Sequence, residues 1–532
     1  MISEPDRAHV RLAELVAALS LGIDLGFGQP MEHVLRQCLI ALRLAERLGI
    51  DEEGRAAIYY AALLVNVGCH SDAHEQAKWF GDDIELKSHK YDYDSRSLRM
   101  IASTMRKVGS GNPPLHRLRV GLEFAISGHR DMDDEVLGVH AALARLLGEQ
   151  LGLPDPVLDG LSSSYERWDG RGWPEGLEGD AIPITSRIAQ FAEYLEVAHR
   201  LGGAGAATAL ARERSGGQFD PALADALCRD PAAILEGLDA VGTWDAVIGA
   251  EPSLAVVLYG ERFDDALTAV ANFVDLKSPY TLAHSHAVAD LAAEAGASLE
   301  MSAGEVLTLR RAGLVHDFGK LGVSNAIWDK RGPLGVGEWE RVRMHPYITE
   351  RMLSASDALA PLGAIAVQHR ERLDGSGYPR QLSGAAITRP ARILAAADVY
   401  QAMCEARPHR AALSAADAAG ELQAEVRAGR LDQEAVEAVL GAAGHRVRRR
   451  REGPAGLTTR EVEVLRLVAR GLSNKEIAQE LVISPKTAGN HIEHIYTKID
   501  ATSRVTASMF AVQHGLLPED EFAGSVATTY AP

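Results

Sequence analysis

Three residues in the stretch 314–320 have side chains that could together build a metal site, namely His316, Asp317 and Lys320. His316 and Asp317 are adjacent, and the apolar run before them predicts a helix that ends at a glycine turn. Neighbouring side chains on a helix point about 100° apart, so both can face one buried site. A divalent cation would offset the cost of burying the carboxylate. A capped helix end with a local Asp–Lys pair is the simpler interpretation of these residues taken alone.

An internal duplication of the chain helps to decide between a metal site and a capped helix end. Two pairs of segments match at an offset of 205 residues: 165–174 with 370–379, and 187–193 with 392–398. Two earlier pairs match at an offset of 251 residues, namely His33 with His284 and Val65 with His316. The first copy therefore carries about 46 additional residues between positions 70 and 140. Constant offsets over long spans indicate a true repeat.

The two copies differ where metal chemistry would take place. The first copy keeps the apolar positions, the turn glycines and two histidines, His33 and His140. The second-copy residues His316, Asp317, Lys320, His369 and Asp398 correspond in the first copy to Val65, Asn66, Cys69, Ser164 and Glu193. Because the apolar frame persists while these polar groups change, we predict that the first copy keeps the fold and has lost the metal site.

The second copy offers imidazole and carboxylate groups from several separate helical stretches. The candidate metal ligands are His284, His316, Asp317, His345, His369 and Asp398. Imidazole nitrogen and carboxylate oxygen are ligands of divalent transition metals, so this set predicts a metal centre.

The order of these residues resembles that of the HD superfamily of metal-dependent phosphohydrolases. The segments 278–281, 374–379 and 407–408 are similar to those of its HD-GYP branch. The resemblance covers roughly residues 261–445 and, in degraded form, roughly residues 8–240. It implies helical domains, divalent ions such as iron or manganese, and hydrolysis of cyclic di-GMP. It also implies that Asp317 and Lys320 are catalytic residues.

The second copy departs from the family pattern at several positions. Arg370 stands where the family has a second histidine, and Ala287, Gln401 and His409 also replace the family's usual residues. A guanidinium group keeps its proton and repels a nearby cation. We therefore predict at most one ion per chain and a phosphate-binding role for Arg370. The main ligands of that ion would be His284, His316, Asp317 and Asp398.

Residues 455–517 carry the pattern of a separate small helical domain. Capping boxes at Thr458 and Ser473 predict the starts of two helices, and Ser484-Pro485 predicts the start of a third. The run resembles the LuxR-type helix-turn-helix over the segments 457–465, 473–478, 483–484 and 498–499. This resemblance implies that the third helix enters the major groove of double-stranded DNA.

The polar side chains of this domain define a predicted DNA-binding surface. Its candidate residues are Lys475, Lys486, Thr487, Asn490, His494 and Arg504. Ala488 and Glu493 differ from the family's usual residues, which predicts modest affinity per monomer. We expect homodimerisation through the last helix, residues 503–514, to compensate. The basic linker 446–451 either adds phosphate contacts or serves as a solvated hinge.

The composition of the chain sets its class and compartment. The net charge of −18 confines any nucleic-acid binding to a local surface. The four cysteines are scattered without a CxxC motif, which suits a reducing cytoplasm. No apolar run approaches the roughly 18 residues of a membrane span, and the N-terminus lacks the pattern of a signal peptide. We predict a cytoplasmic protein without a membrane partner.

These observations predict an all-α chain with two HD-type helical bundles, formed by internal duplication, and a four-helix LuxR-type helix-turn-helix domain. The predicted limits are 1–250 for the degenerate HD-GYP-like domain, 251–445 for the metal-binding one, 446–454 for the linker, 455–517 for the DNA-binding domain and 518–532 for a mobile tail. We predict a transcriptional regulator whose second domain binds a divalent metal and a phosphate-bearing ligand, such as a cyclic dinucleotide, as a sensor. An active metal-dependent phosphodiesterase that also binds DNA is the alternative. A scaffold that only dimerises the DNA-binding domain is a third hypothesis.

Overall fold

The computed structural model describes residues 9–94, 97–110, 114–124, 135–238, 242–252, 255–444 and 454–517. Helices dominate these ranges, and the strands within them are β1 (Val10–Arg11) and β2 (Val257–Leu258), which pair antiparallel. The predicted all-α class is confirmed. The predicted linker up to residue 453 and the predicted tail 518–532 lie outside the described residues. Within these ranges, no helix is both long and apolar enough to cross a membrane.

The chain divides into two compact units. The first contains His9–Leu258 and the short segment Leu321–Ala326. The second contains Tyr259–Lys320 and the chain from Ile327 onward, so it includes both the second copy and the C-terminal domain. The domain limits given above remain predictions.

The first copy is built from helices that surround a buried N-terminal helix. In chain order they are α1 (Leu12–Gly26), α2 (His33–Arg47), α3 (Glu52–Leu64), α4 (Ala73–Phe80), α5 (Asp83–Ser88), α6 (Leu98–Lys107), α7 (Pro114–Glu123), α8 (Glu135–Gln150), α9 (Asp155–Ser162), α10 (Ile184–Arg214), α11 (Pro221–Arg229), α12 (Pro231–Leu235) and α13 (Thr243–Gly249). Helix α1 is buried along nearly its whole length, and α2, α3 and α10 pack together beside it. Asp24 in α1 accepts a hydrogen bond from the backbone N–H of Val34 at 3.1 Å, which caps α2.

Helices α4 to α7 lie between residues 70 and 140, the range that contains the additional residues of the first copy. Val108, Val120 and Phe124 pack against Trp79 and Phe80 in a small core of their own. This cluster is a small satellite of the kind that commonly accompanies the main core of a domain.

The remaining helices belong to the second copy and the C-terminal domain. They are α14 (Gly260–Asp275), α15 (His284–Ser298), α16 (Ala303–Val315), α17 (Asn325–Trp328), α18 (Val336–Leu353), α19 (Ala360–Ala366), α20 (Arg389–Cys404), α21 (Ala415–Arg427), α22 (Gln433–Gly444), α23 (Thr459–Ala469), α24 (Asn474–Glu480), α25 (Pro485–Ile499) and α26 (Arg504–Gln513). Small residues let α15 and α16 approach closely, because a Cβ on Gly313 would lie 2.6 Å from Cα of Ala289. This contact fixes the distance between the two helices that carry His284 and His316.

The turn after α3 and the turn after α16 have the same construction. A Cβ on Gly68 would overlap the carbonyl oxygen of His140, and a Cβ on Gly319 would overlap the carbonyl oxygen of His345. In both copies, therefore, only glycine lets this turn pack directly against the backbone of the helix that carries the next histidine. The two bundles share the fold that the duplication predicts.

The C-terminal helices begin at the predicted caps. Thr458 and Ser473 form capping boxes with Glu461 and Glu476, and the Ser484 side chain accepts from the backbone N–H of Thr487. On α25 the apolar face is buried, with Ala488, Ile492 and Ile495 in the core. That burial turns the opposite, polar face of α25 toward solvent.

Candidate metal centre and DNA-binding surface

The second copy brings all six predicted metal ligands into one buried cluster. His284 is the first residue of α15, His316 ends α16, His345 lies in α18, His369 follows α19 and Asp398 lies in α20. Asp317 follows His316 directly. Each of the six residues is at most 1% exposed. Ala283, just before His284, has a φ of 61°, a left-handed conformation that is uncommon outside glycine and occurs here beside the cluster.

Three of the four imidazoles are oriented by backbone carbonyl groups. Nδ1 of His316, His345 and His369 donates to the carbonyl oxygen three residues earlier, at 2.7, 2.5 and 2.7 Å. Nδ1 of His284 donates instead to the Glu405 carboxylate at 3.0 Å. With the hydrogen fixed on Nδ1, each Nε2 is directed into the cluster as a potential ligand.

Asp317 connects two groups of these nitrogens. Its Oδ2 lies 3.2 Å from Nε2 of His316 and 3.5 Å from Nε2 of His284. Its Oδ1 lies 3.6 Å from Nε2 of His345 and 3.8 Å from Nε2 of His369. Asp317 thus forms one group with His284 and His316 and a second group with His345 and His369. Within each group, the ligand atoms are within 4.8 Å of one another. The carboxylate of Asp317 is therefore shared between two potential ion positions.

The buried atoms of the cluster fit a divalent cation. Nε2 of His284, Nε2 of His316 and Oδ1 of Asp317 are buried without a hydrogen-bond partner. Unsatisfied buried polar atoms cost free energy, and nitrogen and carboxylate donors are the set that zinc, iron and manganese accept. The residues present therefore fit the metal that the sequence predicts.

The protonation states of the cluster follow from burial and charge. Burial opposes ionisation of Asp317, but its electrostatic interactions with His316 and Lys320 hold its pKa well below the usual value. Burial lowers the pKa of His345 to about 3 and holds the pKa of His369 well below its usual value, with Arg370 adding to both effects. Asp317 is therefore an anion, and His345 and His369 are neutral imidazoles with a free lone pair.

Two cationic side chains border the cluster. The Lys320 ammonium forms an ion pair with Oδ2 of Asp317 and lies 5.3 Å from the centre of the Trp328 ring. The Arg370 guanidinium lies 3.3 Å from each oxygen of Asp398. Arg370 therefore partly neutralises one of the predicted ligands, and its predicted role at a ligand phosphate would compete with this pair.

Sequence reasoning missed two residues that position the ligands. Glu405, seven residues after Asp398, orients His284 and also accepts from Gln401 at 3.1 Å. Thr349 accepts from the backbone N–H of Gly319 at 2.8 Å and donates to the carbonyl oxygen of His316 at 3.1 Å. Gln401 replaces the family's usual acidic residue, which could have drawn attention to Glu405 one helical turn later.

In the first copy a lysine side chain lies among the equivalents of the metal ligands. Nζ of Lys90 donates to Oε1 of Glu193 at 2.6 Å and to Oδ1 of Asn66 at 3.1 Å. Tyr91 donates to the same oxygen of Glu193 at 2.7 Å. Glu193 and Asn66 correspond to Asp398 and Asp317. An ammonium group of the protein itself thus contacts the positions at which the second copy offers carboxylates to a metal.

Aromatic rings complete the surroundings of Lys90. Its ammonium lies 5.5 to 5.9 Å from the ring centres of Phe27, Tyr91, Tyr165 and Tyr194. These distances are typical of cation–π contacts, which stabilise a desolvated charge. Lys90 lies between residues 70 and 140, where the offset between the copies changes, so neither constant offset assigns it a counterpart in the second copy.

The predicted DNA-binding side chains lie mostly on the exposed face of the C-terminal domain. Lys475 in α24 and Lys486, Thr487, Asn490 and His494 in α25 are all exposed. Arg504 differs, because its guanidinium donates to Oδ1 of Asn474 at 2.9 Å and to the carbonyl oxygen of Leu472. Arg504 therefore holds the start of α24, and a DNA contact from it would add to this structural role.

Comparisons with known families agree with this architecture. The HD domain family matches residues 132–223 and 268–435, and the luxR family of bacterial regulatory proteins matches residues 455–511. The 3'3'-cGAMP-specific phosphodiesterase 3 of Vibrio cholerae is 33% identical over 407 residues, which are 76% of this chain and 88% of that protein. The chain belongs to the HD superfamily of phosphohydrolases, fused to a LuxR-type helix-turn-helix domain.

More specific similarities lie within the HD-GYP phosphodiesterases. A crystal structure of a cyclic GMP-AMP specific phosphodiesterase of V. cholerae matches with a TM-score of 0.57 and 29% identity, covering 82% of this chain and 99% of that one. The cyclic di-GMP phosphodiesterase response regulator RpfG of Xanthomonas campestris is 36% identical over 183 residues, which are 34% of this chain and 48% of that protein. The predicted resemblance to HD-GYP and LuxR proteins is confirmed.

Proposed function

We propose that this protein is a DNA-binding regulator whose second HD domain is a metal-dependent phosphodiesterase for a cyclic dinucleotide. The observation that carries the proposal is the position of Asp317, whose two oxygens face two pairs of inward-directed imidazoles. The substrate class is supported by the relatives, whose names give them 3'3'-cGAMP or cyclic di-GMP as substrates.

The residues of the cluster would divide the work of phosphodiester hydrolysis. His284, His316, Asp317, His345, His369 and Asp398 would hold the metal. A bound divalent cation polarises the phosphate ester and lowers the pKa of the attacking water. Lys320, held beside Asp317, would neutralise the phosphate and donate a proton to the leaving oxygen. The buried walls would exclude bulk water and strengthen these charges.

The test is an assay of the purified full chain loaded with Mn²⁺ or Fe²⁺ and supplied with 3'3'-cGAMP or cyclic di-GMP. We expect a linear dinucleotide product from the wild type. Lys320→Met should retain metal but lose turnover, because it removes the proton donor without touching an imidazole. A metal-loaded wild type that binds the dinucleotide without cleaving it would contradict the enzyme assignment.

That outcome would instead support a second candidate function, a sensor that binds the ligand without turnover. The pairing of Arg370 with Asp398 favours it, since a guanidinium beside a ligand carboxylate weakens metal binding there. Arg370→His should then raise the metal content from one ion per chain toward two and raise any phosphodiesterase rate with it. An unchanged metal content in this variant would show that Arg370 does not limit the number of bound ions.

We propose double-stranded DNA as the macromolecular partner, bound through the exposed face of α25. Asn490 should read a base edge, so Asn490→Ala should weaken binding to a specific site by about 1–3 kcal/mol. Lys475→Ala should weaken binding to all sequences alike, because a lysine at the start of α24 is placed for a phosphate contact. Equal binding of wild type and Asn490→Ala to a selected site would contradict the groove assignment.

A further inference from the structure

The insertion of the first copy ends in a helical hairpin, α6 and α7, whose outer surface is apolar. Leu98, Ile101 and Met105 occur at positions i, i+3 and i+7 of α6, so they form one stripe. Leu115, Leu118 and Leu122 repeat this spacing on α7. These six side chains are 47% to 85% exposed. We call them the hairpin stripe.

The inner side of the hairpin is fixed to the first copy. Val120 and Phe124 pack into the small core with Trp79 and Phe80. The Arg117 side chain of α7 donates to the carbonyl oxygen of Val108 at 3.2 Å and to that of Arg106. These contacts join the two helices and hold both halves of the hairpin stripe outward.

Helix α6 itself has no buried residue. A ten-residue helix gains too little from its own hydrogen bonds to be stable alone in water, and most helices are stabilised by burying an apolar face. The side chains that would perform this burial point away from the bundle. Within the described part of the chain, therefore, no other element covers the apolar stripe of this helix.

The size of the hairpin stripe matches a protein interface. Its six side chains expose on the order of 700 Å², close to the roughly 800 Å² that each partner buries in a standard interface. Exposed apolar patches on monomeric proteins are usually about 300–600 Å². The area is thus sufficient for a dimer formed by one stripe against another.

We propose that the hairpin stripe is the contact surface of a homodimer, in which two hairpins pack around a two-fold axis as four helices. A two-fold axis brings the same patch of both copies together, and two layers of two helices bury all the stripes at once.

The residue types of the stripe favour a second copy over a membrane surface. Arg119 pairs with Glu123 at 2.8 Å and Lys107 lies 3.8 Å from a Glu85 oxygen, while Arg99 and Arg106 are exposed on α6. Basic residues also border helices that lie on anionic lipid, but those helices commonly place aromatic side chains in the apolar face. The stripe contains leucine, isoleucine and methionine but no aromatic residue. Its composition is that of a helix-packing surface.

The test is the dimer dissociation constant of the full chain without DNA, measured by analytical ultracentrifugation. We expect a wild-type dimer, and at least a tenfold rise in the dissociation constant for Ile101→Glu and for Leu118→Glu. Both side chains are more than half exposed, so the substitutions leave no cavity. The matched control is Leu201→Glu, a 76% exposed leucine on α10, which should leave the constant unchanged.

Circular dichroism of each variant should match that of the wild type. A monomeric wild type, or dissociation constants unchanged in both stripe variants, would overturn the proposal. A monomer that sediments with vesicles of anionic phospholipid, and does so less in Leu118→Glu, would overturn it in favour of a membrane surface.

Discussion

The two copies of the HD fold solve the same electrostatic problem in different ways. In the second copy, Asp317 and Asp398 are buried beside four imidazoles, with Lys320 and Arg370 at the border of the cluster, and the proposed metal would add a further positive charge. In the first copy, one carboxylate is replaced by Asn66, and Lys90 supplies the positive charge for the other, Glu193. A cation therefore offsets the buried carboxylate in each copy, and in the first copy this cation is a lysine side chain of the protein itself.

The largest effect should come from exchanging the central acid for its amide. Asp317→Asn should abolish bound metal and phosphodiesterase activity, a greater loss than the roughly 10–100-fold cost of removing an outer-shell partner, because Asp317 serves both ligand groups. Elemental analysis and the dinucleotide assay measure this. The matched change in the first copy, Asn66→Ala, should leave both quantities as in the wild type. Loss of metal from Asn66→Ala would show that the first copy also contributes to metal binding.

Removal of the internal cation should destabilise the first copy without affecting metal content. Lys90→Met should cost up to about 3 kcal/mol, the lower end of the range for buried pairs, because the Lys90 side chain is 23% exposed. Denaturant unfolding measures this loss. The double variant with Glu193→Gln should recover part of this lost stability, because the Glu193 carboxylate would no longer be buried without its cation. Equal stability of wild type and Lys90→Met would show that Lys90 is not the surrogate cation.

The same pair predicts a pH dependence. The ammonium of Lys90 outweighs burial and lowers the pKa of Glu193, and Glu193 in turn raises the pKa of Lys90. A carboxylate with a lowered pKa contributes stability above its unfolded-state pKa, and that contribution is lost as the pH falls. The difference in unfolding free energy between wild type and Lys90→Met should therefore shrink in acid. A difference that grows below the usual glutamate pKa would contradict the pairing.

The smallest of these effects concerns the orientation of one ligand. Glu405→Gln should weaken metal affinity by about 10–100-fold, because the carboxylate fixes the Nδ1 hydrogen of His284. A metal titration against a chelator measures the change. The first copy has an analogous pair, His33 with Glu196, in which Glu196 aligns with Gln401 and not with Glu405; Glu196→Gln should leave metal affinity unchanged while lowering stability.

Helical periodicity and the two constant offsets predicted the bundles and the differing ligand positions, because packing repeats along the chain in both copies. The sequence could not predict the role of Lys90, because Lys90 lies where the offset between the copies changes and its contact with Glu193 spans 103 residues. Glu405 was missed for a related reason: its role depends on how the end of α20 meets α15. The pairing of Arg370 with Asp398 likewise depends on tertiary packing, although its unusual residue type was evident.

The glycine turns also record the history of the protein. Alanine at Gly68 or Gly319 would collide with a backbone carbonyl group in either copy, whether or not a metal is bound. Packing therefore constrains the glycines in both copies, whereas the proposed metal centre would constrain the histidines and aspartates of the second copy alone. The first copy keeps this turn although its residues at the ligand positions differ. Gly68 marks common ancestry, and the residues around it mark how far the use of the two domains has diverged.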